Sequence, residues 1–323
     1  MTRVGFSARQ LVSLCPAQNK KKGDGMFPTT KDYDIFCIPK RKGGYRKIEA
    51  PNPKLKEQQR NHLRSVLYKT LPYSPFSHAY IKNRSIITNA LPHKNKKYIL
   101  KMDINNFFPS ITWDMFKTRV GAAFSSRNKY RCMSDDERKS FLDECRIHFF
   151  EDETGEIRLP QGAPASPCIA NFYLSLFDMG IGYRLCKGLS NQVGVDIYYT
   201  RYADDITLSS DSKSLLRIVE DKILEILPKS YGLTINTDKS KLIPRTRYQI
   251  VCGIKVNGER LELAPRYKHK IEYIKRKLEE GKSLTKKEQG LMSYYDMLNL
   301  QDKLTPITWR TYDEYKQLKQ LFK

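Results

Sequence analysis

Asp204 and Asp205 are adjacent carboxylates set between two runs that read as strands. Upstream, Tyr198-Tyr199-Thr200-Arg201 is rich in β-formers, and downstream Ile206-Thr207-Leu208-Ser209 alternates apolar and polar residues. The pattern predicts a hairpin with Tyr202-Ala203-Asp204-Asp205 at its tip. Two carboxylates held that close repel each other, so the tip calls for a compensating cation. A pair of divalent ions meets that need, and paired ions are what nucleotidyl transfer uses.

Charge points the same way. The 323-residue chain carries a formal net charge of +23 while remaining 40% hydrophobic. That combination describes a folded protein with a polyanionic partner. Lys20-Lys21-Lys22 and the run from Lys94 to Lys97 are local clusters, and the last sixty residues are dense in Lys and Arg. No amphipathic anchor or lipidation motif supports a membrane surface as the partner. Leu159 to Phe177, the longest uncharged stretch, is broken by Pro160, Pro164 and Pro167, so it is not a span. Seven scattered cysteines without a Cys-x-x-Cys motif suggest reduced thiols and a cytoplasmic location. No N-terminal apolar segment suggests secretion. The five histidines lack metal-ligand spacing.

Along the chain, residues 1–30 read as a basic arm. Strand patterns cover Tyr33 to Ile38 and Tyr45 to Glu49, separated by a charged turn. Asn52-Pro53 starts a helix with Asn52 as N-cap, striped by Leu55, Leu63, Val66, Leu67 and Leu71. Lys97 to Ile104 reads as a strand that brings Asp103 to its end. Thr112 to Phe150 is charged and mostly helical, with a capping box at Ser134 to Glu137. Gln161 to Pro167 is a loop, followed by Ile169, Phe172, Tyr173 and Leu176 at helical spacing. Beyond the hairpin come a helix from Leu215 to Leu227 and short strands at Gly232 to Asn236 and Ile250 to Val256. The C-terminal part is helical. Tyr267, Ile271, Ile274 and Leu278 form one stripe, Thr285 to Glu288 caps the next helix, and a last helix starts near Thr311.

Nucleotide polymerisation needs carboxylates that hold two Mg²⁺ ions about 3.5–4 Å apart, and Mg²⁺ prefers hard oxygen ligands. If the strand ending at Asp103 neighbours the hairpin in one antiparallel sheet, Asp103, Asp204 and Asp205 converge. Each residue also has a plainer reading. Adjacent aspartates suit a solvated turn, Phe107 and Phe108 suit a core, and His93 suits a structural hydrogen bond.

Taken together and in order, the motifs resemble the reverse transcriptase family. Met102 to Ser110 is similar to its first catalytic motif, and Leu159 to Pro167 to its template and nucleotide-binding loop. Tyr202 to Asp205 matches its paired-aspartate motif. Gly232 to Asn236 with Lys239 resembles the next palm motif, and Val251-Cys252-Gly253 falls at the primer-grip hairpin. The resemblance covers roughly Tyr33 to Val256. Within the prokaryotic members the chain looks most like a retron enzyme. Asn89-Ala90-Leu91-Pro92-His93 matches the Asn-Ala-x-x-His signature, and Val251-Cys252-Gly253 is close to Val-Thr-Gly with Cys252 in place of Thr.

The resemblance implies an α+β right-hand polymerase, with an antiparallel-sheet palm and a helical thumb. Residues 1–30 would be the arm, 31–100 fingers with part of the palm, 101–258 palm and 259–323 thumb. Asp103, Asp204 and Asp205 would hold two Mg²⁺ ions, with Mn²⁺ as substitute and Ile104 also at the metal site. Phe108 would gate the sugar, favouring dNTPs over rNTPs. Gln161 and Gly162 would let the backbone approach the nucleotide, and Arg46, Lys47 and Arg84 would clamp the triphosphate. Lys239 would protonate pyrophosphate. Asn89, His93, Val251 and Gly253 would serve RNA binding. The implied partners are dNTPs, a cognate structured noncoding RNA, its RNA-linked DNA product (msDNA) primed from a 2′-OH, and a separate effector in phage defence, with no membrane. Another prokaryotic reverse transcriptase, or a non-catalytic RNA-binding scaffold of the same fold, are the competing readings.

Overall fold

The computed structural model describes residues 27–40, 43–125 and 132–313. The expected arm, apart from its last residues, and most of the expected final helix lie outside them. The strands run, in chain order, β1 (Tyr33–Pro39), β2 (Tyr45–Pro51), β3 (Tyr98–Asp103), β4 (Phe150–Glu151), β5 (Ile157–Arg158), β6 (Ile197–Tyr202), β7 (Asp205–Ser210), β8 (Lys241–Pro244), β9 (Ile250–Val251), β10 (Ile254–Lys255) and β11 (Glu262–Leu263). The chain forms two compact units from discontinuous pieces, one of residues 1–72 and 106–173, the other of 73–105 and 174–323.

In the first unit, β1 and β2 pair antiparallel from Tyr33 opposite Pro51 to Pro39 opposite Tyr45. The helix Pro53–His62 follows, and Asn52 Oδ1 caps it by accepting from the Leu55 amide. Leu55, Leu63, Leu67 and Leu71 are buried as the stripe requires. The Thr112 to Phe150 region contains helices Trp113–Ala123 and Asp135–Cys145, the second capped by the Ser134–Glu137 box. Trp113, Phe116, Phe149 and Phe172 form an aromatic core with ring centroids 5.1–5.9 Å apart.

In the second unit, a four-stranded antiparallel sheet has the order β6-β7-β3-β8. The helix Lys213–Tyr231 buries Leu215, Leu216, Val219, Ile223 and Leu227, and Gly232 ends it in the left-handed conformation. A cluster of Ile87, Leu91, Ile99, Val251, Ile254, Leu261 and Leu298 ties the β9–β10 hairpin to the sheet and the C-terminal helices. Each such aliphatic contributes about 1.5–3 kcal/mol on burial. Helices Pro265–Glu279 and Lys286–Asn299 follow, the second capped by Thr285.

Three expectations need correction. Gly232 to Asn236 is not a strand, because only Ile235 bridges to Ile104; the sheet's fourth strand is Lys241–Pro244, pairing with β3. Ile250 to Val256 is not continuous, because Cys252 (φ 48°) and Gly253 (φ 87°) turn it into a hairpin. Leu176 and Leu278 are exposed, since the helix before Leu176 ends at Tyr173 and Leu278 sits in the last turn of its helix. Cys37, Cys132, Cys145, Cys168, Cys186 and Cys252 are all free thiols.

Candidate active site

The register sets the site. β3 pairs with β7 so that Asp103 lies opposite Asp205, and β6 pairs with β7 so that Tyr202 lies opposite Asp205. Ala203 and Asp204 form the two-residue tip. Ala203 has φ 58°, a conformation that costs a non-glycine residue about 1–2 kcal/mol. The tip is fastened from two sides. The Ile104 amide donates to the Asp204 carbonyl at 3.0 Å, and Arg201 Nη1 donates to the Ala203 carbonyl at 2.9 Å.

Arg201 is fully buried, as is Asp178 beneath it. Its Nε and Nη2 grip the two Asp178 oxygens at 2.8 and 2.7 Å, and the Tyr199 hydroxyl donates to Asp178 at 2.7 Å. Neither Arg201 nor Asp178 stood out in the sequence. The available signal was parity: Ile197, Tyr199 and Arg201 share one strand face, so a cation occupies an otherwise buried apolar position.

Around Asp103, the Asn236 amide donates to its carbonyl at 2.7 Å and the Lys239 ammonium lies 2.7 Å from Oδ2. Lys239 is thus brought to the carboxylates by the 3-10 turn Thr237–Lys239. Burial pushes the Asp204 carboxyl up to about 6, reinforced by the Asp205 charge. Burial also raises Asp205, against the pull of Lys101. Three carboxylates of hard oxygen donors suit Mg²⁺ or Mn²⁺. Among the described residues no three His, Cys, Asp or Glu side chains already close into a cage. Ile104 is buried, so only its backbone can serve such a site.

The reading of Asn89, His93 and Val251 as RNA contacts is corrected, because all three are fully enclosed. His93 hydrogen-bonds Ser209 Oγ at 2.7 Å and Thr200 Oγ1 at 2.8 Å, bracing β6 and β7. Burial drives its pKa down to about 3, so the ring is neutral. Asn89 Nδ2 donates to Cys252 Sγ at 3.5 Å, tying this signature to the β9–β10 turn. Gly253 is half-buried in that turn. Arg84, half-buried, is engaged within its own unit. Its Nη1 donates to the carbonyls of Ser74, Pro75 and Ser77, so the side chain braces that loop.

Arg46, Lys47, Phe108, Gln161 and Gly162 belong to the other unit. Arg46 and Lys47 are exposed on β2. Phe107 is buried, whereas Phe108 beside it is only partly buried. Glu49, a residue the sequence reading passed over, joins β2 to the Gln161 loop. Its carboxylate takes Arg158 at 2.8 Å and the Gln161 amide at 2.9 Å, while its own amide donates to the Gln161 carbonyl. Gly162 has φ 144°, and a Cβ there would meet the Glu49 carbonyl oxygen at 2.8 Å.

Residues 38–274 match the family described as reverse transcriptase (RNA-dependent DNA polymerase). The retron Mx65 reverse transcriptase of Myxococcus xanthus is 32% identical over 276 residues, covering 83% of this chain and 62% of that protein. The retron Ec83 reverse transcriptase of Escherichia coli is 30% identical over 254 residues, 77% of each. The retron Ec86 reverse transcriptase of Escherichia coli is 35% identical over 232 residues, 71% of this chain and 64% of that one. The chain therefore spans less than two thirds of the Mx65 and Ec86 proteins.

Proposed function

The chain belongs to the reverse transcriptase (RNA-dependent DNA polymerase) family, and from that membership we propose that it copies RNA into DNA as a retron-type enzyme. Its fold is the α+β right-hand polymerase class of that family. The observation that carries the reading is the β3–β7 register, which sets Asp103 opposite Asp205 with Asp204 at the adjoining tip. Asp103, Asp204 and Asp205 would hold two Mg²⁺ ions, with the Ile104 backbone alongside. The chemistry a bound divalent pair supplies is activation of the attacking hydroxyl and neutralisation of the triphosphate.

The chain's own residues do the rest. The Arg201 and Ile104 contacts fix the tip, so the carboxylates are positioned before substrate arrives. Lys239, exposed and 2.7 Å from Asp103, neutralises one carboxylate and would give a proton to departing pyrophosphate. Phe108 would screen the sugar, and the Glu49-clasped Gln161-Gly162 backbone would face the nucleotide beside Arg46 and Lys47. The segments around β1–β2 would act as fingers, the β6-β7-β3-β8 sheet as palm and residues 259–323 as thumb. Gly253 would lie against the nucleic acid.

As in a retron, the partner would be the chain's own structured noncoding RNA, primed from a 2′-OH to give RNA-linked DNA. The same analogy extends to phage defence with a separate effector, and to the cytoplasm. No described helix is long and apolar enough to cross a membrane. The test is to express the chain, copurify its nucleic acid and sequence it. RNA joined to DNA through a 2′–5′ linkage is the expected product. Purified protein that extends no primer on any RNA template with Mg²⁺ or Mn²⁺ would sink the reading.

A further inference from the structure

We propose that a two-part groove beside the C-terminal helices binds one unpaired nucleotide of the RNA partner, apart from the carboxylate site. It lies at the end of the β9–β10 hairpin opposite the Cys252-Gly253 turn. One part is a cavity of about 580 Å³ between Arg245, Arg247, Tyr248, Lys255 and Asn257. The other, of about 620 Å³, has an apolar floor of Leu261, Leu263, Ile271 and Leu298, and its charged lining mixes Arg260, Lys268 and Lys275 with Glu262 and Glu272. Tyr248 and Lys255 line both parts.

The two parts suit the two halves of a nucleotide. No acid lines the first, so it is a cup for phosphate. Lys255 is paired with Glu262 at 3.0 Å, which leaves the two arginines as its uncommitted cations among the described residues. The second offers apolar surface and the Tyr295 ring, over which Lys275 sits 4.3 Å from the centroid. Tyr248, two-thirds exposed, stands between them as a stacking platform.

The groove is built rather than incidental. Asn257 Nδ2 donates to the carbonyls of Arg245 (3.0 Å) and Arg247 (2.7 Å), and its Oδ1 accepts from the Gln249 amide. Buried Gln301 accepts from the Leu261 amide at 2.7 Å and donates to the Leu261 and Leu298 carbonyls, fixing the floor. Held walls lose little entropy on binding. A paired base cannot enter, because its edge and faces are occupied in the duplex. The groove therefore selects single-stranded or bulged RNA.

The inference rests on RNA being the partner, and the full chain tests it. The probes are a 12-nucleotide single-stranded oligoribonucleotide carrying 4-thiouridine and a blunt RNA duplex of equal length. Tyr248→Ala should weaken single-strand binding about 5- to 100-fold and leave duplex binding within about twofold. Irradiation should crosslink the thiouridine to peptides containing Tyr248 or Tyr295. Extension of oligo(dT) on poly(rA) by the wild-type protein tests the polymerase reading separately, and wild-type failure in that assay would count against that reading alone. Equal loss of both RNAs, crosslinks only outside 245–301, or undiminished binding in both Tyr248→Ala and Arg245→Ala with Arg247→Ala would overturn the proposal. Loss in the arginine variant alone, with heparin competing fully, would also overturn it, because the groove would then be a patch for any polyanion.

Discussion

Arg201 Nη1 donates to the carbonyl oxygen of Ala203 at 2.9 Å, so a buried cation holds the backbone of the aspartate turn by its least comfortable residue. Arg201 is itself neutralised by Asp178, which leaves the turn braced without adding net charge beneath it. The pair makes positioning of the carboxylates a property of the core.

Breaking that pair from one side should be costly. Arg201→Met or Asp178→Asn leaves the partner buried and uncompensated, and each should destabilise the second unit by about 3–5 kcal/mol. The double variant Arg201→Met with Asp178→Asn should cost less than the sum, because no lone charge remains. Denaturant titrations of the four proteins measure this, and strict additivity would show that the two residues are not coupled.

Gly162 is pinned between β2 and its own loop. Gly162→Ala forces a Cβ against the Glu49 carbonyl at 2.8 Å and Ile48 Cγ2 at 3.1 Å, at φ 144°. The expected loss is about 1–3 kcal/mol, with the Gln161–Glu49 hydrogen bonds distorted. Slower amide exchange at Gln161 in the variant than in wild type would refute this.

The hairpin and Asp103 were legible because their cues are local: alternation, β-formers and an acid at a strand end. β8 was not. Lys241-Leu242-Ile243-Pro244 is short, carries Lys and ends in Pro, so its propensity is weak. Pairing with β3 selects it over Gly232 to Asn236, where Gly232 is committed to ending a helix. Asp178 was hidden for a related reason. It lies 23 residues before Arg201, in a stretch whose spacing reads as helix, and only the tertiary fold makes them partners. Asn89 and His93 were visible as a motif. Their burial against Thr200, Ser209 and Cys252 emerges only once the helix Ile86–Ala90 is seen packed on β6.

His93 sets an acid limit. Its pKa is about 3 folded against 6.5 unfolded, so between those values the unfolded chain binds the extra proton and stability falls as pH drops. At pH 4.5 the loss from this group is about 2–3 kcal/mol. Other groups titrate in the same window, so the diagnostic quantity is the difference between wild type and His93→Gln. Urea midpoints from pH 7.5 to 4.5 should fall less steeply in the variant. Parallel curves would remove His93 from the account.

Phe108 is only partly buried while Phe107 is buried, which makes Phe108 the more accessible ring of the pair. Phe108→Ala should relax the preference for dNTPs over rNTPs without unfolding the protein. An unchanged ratio in single-nucleotide incorporation would place the gate elsewhere.

The aspartate tip should trade stability for activity. Asp204 is raised to about 6 by burial and by Asp205, so near pH 7 the ionised carboxylate works against folding, and that penalty fades as pH falls through 6. Asp204→Asn with Asp205→Asn removes it, and in metal-free buffer at pH 7.5 the variant should be about 1–3 kcal/mol more stable than wild type. The same variant should incorporate no dNTP while binding RNA as before. Adding Mg²⁺ should then separate the two proteins. It should raise the wild-type unfolding midpoint, because ions bound to the folded tip stabilise it by mass action. It should leave the variant unmoved, because amides offer no compensating charge. A double variant that still polymerises would take the chemistry away from these residues, and equal Mg²⁺ stabilisation of both proteins would take the ions away from them.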